Sequence, residues 1–254
     1  MLKKLCQAAA FVGAFAAFTA NANLIEVDVE LQLLTDVSGS VNDTEYNLQR
    51  NGYIAAFRNT DIINTILAGT HGSIAVQYIE WSSSDRQRTQ IDWFLIDSVQ
   101  SANAFADLIA GIVRPFTGAT AIGSAINYGA SLFDTNNFTA AKQVMDVSGD
   151  GTQNSGANTA AARDAALAAG VDTINGITIG DARNLPQYYQ DNVIGGQNAF
   201  HMHADTFASF TTGIEAKLKR EIKDANQIPE PSSIALIGLA VLGLFGNSRK
   251  RKLG

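Results

Sequence analysis

Short apolar runs alternate with longer amphipathic stretches through the middle of this 254-residue chain. The stretch 24–35 alternates and ends in Leu31, Leu33 and Leu34, as a strand that enters a core does. Strands alternating with helices at this spacing predict an α/β fold with a doubly wound, mostly parallel, Rossmann-like sheet flanked by helices. Further strands are predicted at 72–81, 89–95, 141–147, 171–179 and 199–204, and helices at 41–59, 101–113, 121–133, 158–169, 185–193 and 206–223.

Folds of this class place their binding sites in the loops that follow the carboxyl ends of the strands. The three loops at 36–40, 118–121 and 148–151 contain hydroxyl and carboxylate side chains but neither Cys nor His. Such oxygen ligands suit Mg²⁺ and similar hard cations, whereas zinc and soft metals favour nitrogen and sulfur ligands. The sequence therefore predicts a divalent-cation site at this edge of the sheet.

These loops resemble the metal-ion-dependent adhesion site, or MIDAS, of von Willebrand factor A (vWA) domains. That pattern is Asp-x-Ser-x-Ser, then a Thr, then an Asp before Gly, and the matching residues are Asp36, Ser38, Ser40, Thr120 and Asp150. The resemblance covers most of residues 26–222. It implies that the three hydroxyls bind the metal directly or through water, while the two aspartates bind through water and hold the hydroxyls in place. Mg²⁺ is the expected ion, with Ca²⁺ or Mn²⁺ as alternatives.

Two residues just before the third loop have an open role. The two-residue period of a strand places Asp146 on the same face as Ser148 and Asp150. Asp146 and Ser148 could therefore contact the metal ligands without binding the metal themselves. Alternatively, Asp146 is a buried polar residue that a neighbouring loop satisfies. The segments 80–82 and 146–151 also look like a bacterial branch of the vWA superfamily whose function is uncharacterised.

The N-terminal residues 1–22 look like a secretory signal peptide. Lys3 and Lys4 precede an apolar run, and the small residues of 20–22 then form a signal-peptidase pattern, so cleavage is expected after Ala22. The apolar run is too short to span a bilayer, which takes about 20 residues. The single cysteine, Cys6, lies in this segment. The exported protein would therefore contain no disulfide.

The C-terminal segment 227–254 has three parts in a fixed order. Pro229-Glu230-Pro231 precedes the apolar stretch 232–245, and the basic cluster 249–252 follows. This order resembles the PEP-CTERM sorting signal of Gram-negative bacteria. In that family an exosortase cuts near the motif and transfers the protein to the cell surface or the exopolysaccharide matrix. The implied route is an inner-membrane intermediate, held transiently through a helix at 233–246, with the vWA-like domain 23–226 facing the periplasm. A permanent single-span anchor is the alternative.

The charge between the two terminal segments is strongly acidic. Both ends together hold six of the 18 basic residues, so 12 remain against 24 acidic residues if Glu230 of the C-terminal segment is kept, and the net charge is then near −12. An acidic surface of this kind repels nucleic acid and favours cations or basic partners.

The resemblance implies a binding protein and not an enzyme. A partner's Asp or Glu would replace a water on a metal ion that the protein leaves partly open. One interpretation is an adhesion or matrix-binding module of the cell surface or biofilm matrix. The other is a scaffold or chaperone-like subunit of an extracellular complex.

Enzymatic interpretations find less support in the motifs. A haloacid dehalogenase-type phosphatase would use Asp36 as nucleophile, but the acid expected two positions later is Ser38. No Gly-x-Ser-x-Gly elbow, no Gly-x-Gly-x-x-Gly after the first strand and no Gly-Lys-Ser/Thr loop occurs.

His201 and His203 are spaced to point the same way from a strand. They form either a metal-binding pair or a partly exposed strand face.

Overall fold

A seven-stranded sheet organises residues 24–226, the part of the chain that the computed structural model describes. The predicted signal peptide and sorting segment, including its apolar helix, lie outside these residues. The strands are β1 (Ile25–Val27), β2 (Glu30–Asp36), β3 (Ile74–Trp81), β4 (Gln87–Ile96), β5 (Phe138–Ala140), β6 (Gln143–Gly149), β7 (Thr173–Ile179), β8 (Gly195–Gly196) and β9 (His201–Ala204). The helices are α1 (Asp43–Arg58), α2 (Thr60–Leu67), α3 (Val99–Ala110), α4 (Ile122–Ala130), α5 (Thr159–Ala168), α6 (Leu185–Asn192) and α7 (Phe210–Asn226), with a short 3-10 helix at Phe133–Thr135.

The strand order is β4-β3-β2-β6-β7, and both β8 and β9 pair with β7 at the far edge. All pairings in this sheet are parallel except those of β4 with β3 and of β8 with β7. One core joins the sheet to α1, α2, α3 and α7, and a second core joins the opposite face to α4, α5 and α6. The predicted doubly wound, mostly parallel sheet flanked by helices is therefore confirmed.

The central strand β2 sends side chains into both cores. Leu31 and Leu33 belong to the core under α1 and α7, while Leu34 belongs to the core under α4. All seven residues of β2 are buried, as expected for a strand covered on both faces. Its last residue, Asp36, pairs in register with Trp81, and Thr35 pairs with Ser148. The parallel register thus brings the ends of β2, β3 and β6 to the same edge.

The predicted first strand at 24–35 is wrong in extent, because the structure divides it into β1 and β2. The chain bends at Asp28, whose carboxylate accepts hydrogen bonds from the backbone N–H groups of His71 and Ser73 at 2.9 and 3.3 Å. Strand β1 then pairs with β5 in a separate two-stranded ladder. The turn that supplies these donors is distant in sequence, so the alternating pattern alone does not reveal the break.

The helix predicted at 41–59 also has different bounds in the structure. Helix α1 begins after Asn42, whose side chain accepts from the N–H groups of Thr44 and Glu45 while Glu45 accepts from the N–H of Asn42. This capping box fixes α1 directly after the loop at 36–41. The chain turns at Asn59, which caps the additional helix α2 by accepting from Asp61 N–H.

Candidate functional site: a metal centre at the carboxyl edge of the sheet

Asp36 ends β2 and organises the loop that follows. Its Oδ1 accepts the backbone N–H of Ser38 at 2.7 Å, and Val37 N–H donates to the carbonyl of Trp81 at 2.9 Å. Gly39 N–H donates to the carbonyl of Gly118 at 2.7 Å, which links the first loop to the second. These bonds turn the loop back over the edge of the sheet.

The structure brings all five residues of the predicted metal site together. Ser38 Oγ lies 3.1 Å from Ser40 Oγ, and Ser40 Oγ donates to Asp150 Oδ1 at 2.7 Å. Thr120 Oγ1 lies 3.4 Å from Ser38 Oγ. Asp36 reaches the same loop through the backbone of Ser38. Three hydroxyls and two carboxylates from three separate loops therefore share one small region.

Among residues 24–226, no basic side chain forms an ion pair with either carboxylate of the site. Burial and, to a smaller extent, the negative charge of Asp150 together raise the pKa of Asp36 from 3.8 to about 7. Burial also raises the pKa of Asp150; the hydrogen bond from Ser40 opposes the rise, whereas the charge of Glu45 increases it. Asp36 Oδ2 is buried and has no hydrogen-bond partner.

A hard divalent cation fits this donor set. Hydroxyl and carboxylate oxygens are the ligands that Mg²⁺ and Ca²⁺ prefer, and a cation would offset the repulsion between Asp36 and Asp150. Within residues 24–226, no group of three or more His, Cys, Asp or Glu side chains is placed to hold a metal ion. The site differs from such a group because most of its members are hydroxyls.

Arg114 binds the backbone of the first loop. No motif in the sequence predicts this role for Arg114. One guanidinium nitrogen, Nη2, donates to the carbonyls of Val37, Ser38 and Val41 at 2.9, 2.9 and 2.7 Å. The side chain is only 12% exposed. A planar guanidinium with several fixed donors suits such clustered carbonyls. Arg114 therefore positions the segment that carries Ser38 and Ser40.

The second loop is held by the segment after Asp150. Thr120 N–H donates to Asn154 Oδ1 at 2.9 Å, and the N–H groups of Asn154 and Ser155 both point to the Thr120 carbonyl, at 2.9 and 3.2 Å. The Thr120 backbone is therefore fixed on both its N–H and its C=O sides.

Gly149 lies between two buried polar atoms that have no partners. A Cβ at this position would lie 2.5 Å from Tyr189 Oη and 3.0 Å from Asp36 Oδ2. Both of those oxygens are buried without a hydrogen bond. Only glycine at position 149 lets these two oxygens lie so near the backbone. Tyr189 belongs to α6, and the Gly-Asp-Gly motif alone does not predict that it lies here.

Asp146 and Ser148 contact side chains of helices α7 and α1. Asp146 Oδ1 lies 2.7 Å from Lys217 Nζ of α7, and both side chains are fully buried. Ser148 Oγ accepts from Gln49 Nε2 at 3.0 Å and from Tyr53 Oη at 3.2 Å, both on α1. Asp146 is therefore a buried polar residue whose observed partner lies on α7 and not in a neighbouring loop.

An open groove adjoins the site at Asp150. Its walls include Glu45 and Leu48 of α1, Asp181 after β7, and Phe207 after β9. The exposed side of Ser40 faces solvent as well. The cluster is thus accessible from the loop side of the sheet.

Two family models match the chain. Residues 26–226 match DUF1194, a family of proteins of unknown function, and residues 227–251 match the PEP-CTERM protein-sorting motif. The sorting motif implies processing by an exosortase and export to the cell envelope or surface. Among the described residues, the helices are too short or too polar to cross a membrane. No curated protein matches the chain.

Several solved structures share the fold at low sequence identity. Proximal thread matrix protein 1 from the mussel byssus has a TM-score of 0.58 at 16% identity, over 80% of this chain and 49% of its own. A further structure of that protein has a zinc-occupied MIDAS motif. The pilus adhesin SpaC from Lactobacillus rhamnosus GG has a TM-score of 0.55 at 16% identity, over 81% of this chain and 30% of its own.

A von Willebrand factor type A protein from Catenulispora acidiphila has a TM-score of 0.53 at 16% identity, over 79% of this chain and 43% of its own. This chain thus spans about half, or less, of these proteins. The architecture they share with residues 24–226 is that of a vWA domain. The chain belongs to the DUF1194 family, has the fold of a vWA domain over residues 24–226, and carries a PEP-CTERM sorting motif after that domain.

Proposed function

We propose that this protein is an exported binding protein, not an enzyme, that holds a divalent cation and through it a partner's carboxylate. The cation would be held by the five clustered side chains, namely Asp36, Ser38, Ser40, Thr120 and Asp150. The observation that carries the proposal is their convergence from three loops, with two carboxylates that form no ion pair with a basic residue of the described range 24–226.

The hydroxyl and carboxylate residues have different roles in the proposed cation binding. Ser38, Ser40 and Thr120 offer neutral oxygens, so they leave the charge of a cation largely uncompensated. Asp36 and Asp150 hold the hydroxyl groups through the Ser38 backbone and the Ser40 side chain. When bound, the cation supplies a positive charge that a partner's Asp or Glu can reach. Mg²⁺ is the first expectation because all five donors are oxygens, and Ca²⁺ or Mn²⁺ fit the same set.

The proposed location is the cell surface or the exopolysaccharide matrix of a Gram-negative bacterium. The sorting motif supports this, and so does the fold shared with a byssus matrix protein and a pilus adhesin. The route would pass through an inner-membrane intermediate that faces the periplasm before exosortase cleavage. A matrix-binding protein should capture its ligand after this release. A scaffold subunit would instead copurify with one protein before sorting.

The first test is a calorimetric titration of the full-length protein with Mg²⁺, Ca²⁺ and Mn²⁺. We expect saturable binding of one ion per chain, lost in Asp36→Asn and in Ser38→Ala. Asp164→Asn, on an exposed surface of α5, is the matched control and should bind as the unmodified protein does. Circular dichroism establishes that each variant is folded. A folded protein that binds none of the three ions would refute the proposal and leave the fold assignment intact.

The second test concerns the carboxylate. Acidic and neutral peptides of equal length, immobilised separately, should differ in retention only when Mg²⁺ is present. Chelator should abolish the difference, as should Asp36→Asn. Equal retention of both peptides by the metal-loaded protein would contradict carboxylate recognition.

A further inference from the structure

Two histidines at the edge of the sheet point at one hydroxyl group. His201 Nε2 lies 2.8 Å from Thr178 Oγ1, and His203 Nδ1 lies 2.9 Å from the same atom. Strand β9 runs parallel to β7 with His203 in register with Thr178, so the two-residue period places both rings on one face. Two imidazole nitrogens thus converge on a single oxygen.

The two hydrogen bonds of this arrangement require the two rings to play opposite roles. A threonine hydroxyl has one hydrogen and can donate it to only one of the two nitrogens. The other ring must then donate to the hydroxyl oxygen through its own N–H. An ion that accepts lone pairs would use both nitrogens in the same way.

The surroundings of His203 orient its ring for such a role. Its Nε2 lies 3.5 Å from Asp205 Oδ1, which directs the other nitrogen, Nδ1, toward Thr178. Metal-binding histidines commonly contact a carboxylate with the nitrogen that does not bind the metal. The His203 side chain is 34% exposed, so an ion can reach the pair from solvent.

The His201 ring is held in place by a neighbouring aromatic side chain. Tyr189 packs on the other side of the ring, with centroids 6.0 Å apart, and limits its movement.

We propose that His201, His203 and Thr178 form a second metal site, which takes a divalent transition metal ion such as Zn²⁺, Cu²⁺ or Ni²⁺. Imidazole nitrogen is the ligand that these ions favour, whereas the cluster around Asp36 has only oxygens. The site uses different residues and a different ligand chemistry, so it does not depend on the function proposed above.

The test is a Zn²⁺ titration of the full-length protein in excess Mg²⁺, which competes for the oxygen-lined cluster. All proteins carry Cys6→Ser, so that the single thiol of the chain cannot bind zinc. We expect His201→Gln and His203→Gln each to weaken Zn²⁺ binding by more than about tenfold. Replacing a residue that only hydrogen-bonds to a metal ligand already lowers metal affinity by about that factor. His71→Gln removes the third histidine of the chain and should bind as the parent does. Asp36→Asn should keep this Zn²⁺ site even if it loses Mg²⁺.

A second measurement needs no histidine variant. Electron paramagnetic resonance of the parent protein with one equivalent of Cu²⁺ should show hyperfine splitting from two equatorial nitrogens. A Cu²⁺ spectrum without nitrogen splitting would overturn the proposal. So would Zn²⁺ affinity that is the same in the parent, His201→Gln and His203→Gln.

Discussion

Lys217 Nζ lies 2.7 Å from Asp146 Oδ1, and neither side chain is exposed to solvent. The same ammonium also pairs with Glu221 one turn further along α7. Helix α7 is thereby fixed to β6, the strand that leads to Asp150. Three ionisable groups are buried here, two carboxyl groups and one ammonium, which makes this cluster sensitive to the loss of its single cation.

Replacing Lys217 should destabilise the fold strongly. Lys217→Met leaves Asp146 and Glu221 buried without a positive partner, and we expect a loss of about 3–5 kcal/mol in the free energy of unfolding. Lys219→Met, on the same helix, breaks only an exposed pair with Asp61 and should cost about 0–1 kcal/mol. Urea denaturation measures both. Equal effects of the two substitutions would show that the buried pair contributes no more than the exposed one.

The stability of the domain should depend on the protonation of Glu221. Burial raises the pKa of Glu221, the charge of Lys217 opposes the rise and that of Asp146 adds to it, and the net result is a pKa of about 7 in place of 4.5. Between about pH 4.5 and 7, Glu221 is therefore protonated in the folded protein but ionised in the unfolded chain. This stabilisation is complete below about pH 4.5 and is lost as the pH rises through about 7.

Glu221→Gln should therefore flatten the fall in stability across this pH range. We expect a difference between the two pH profiles on the order of 1–3 kcal/mol, measured by urea denaturation at several pH values. Gln can still accept from Asn175, whose Nδ2 lies 2.8 Å from Glu221 Oε1, so the variant should fold. Parallel profiles for both proteins would contradict the raised pKa.

The close approach of Tyr189 and Asp36 around Gly149 can be tested by a double-mutant cycle. Gly149→Ala places a methyl group 2.5 Å from Tyr189 Oη, and we expect a loss of about 1–3 kcal/mol. Tyr189→Phe removes that oxygen and should restore part of the loss in the double variant. At Gly151 the nearest atom to an added Cβ is 3.7 Å away, so Gly151→Ala should have little effect. Strict additivity at Gly149 and Tyr189 would contradict the contact.

Arg114 should matter for metal binding although it lies outside the proposed ligand set. Arg114→Lys keeps the charge but loses the rigid guanidinium that holds three carbonyls of the first loop. We expect a stability loss of about 1–3 kcal/mol and about tenfold or more weaker Mg²⁺ binding. Arg58→Lys, which alters an exposed pair with Asp107, is the control for calorimetry and thermal unfolding. Unchanged Mg²⁺ affinity in Arg114→Lys would show that the loop keeps its geometry without the guanidinium.

The sequence was informative wherever the relevant pattern is local. The strand and helix periods predicted the α/β sheet, and the position of Asp36 directly after an apolar strand predicted the loop edge where the candidate site lies. The spacing of His201 and His203 likewise predicted a shared face, because side-chain direction in a strand repeats every two residues.

Contacts between distant segments were decided only by the tertiary structure. Arg114 contacts the first loop from the segment after α3, and Tyr189 approaches Gly149 from α6. Lys217 of α7 pairs with Asp146 of the strand that leads to the site. No local period or motif distinguishes them from other residues of their type. Their roles depend on how helices dock against the sheet, as does the bend at Asp28, whose hydrogen-bond donors lie more than forty residues away. Local patterns fix which elements form, whereas packing decides which side chains meet.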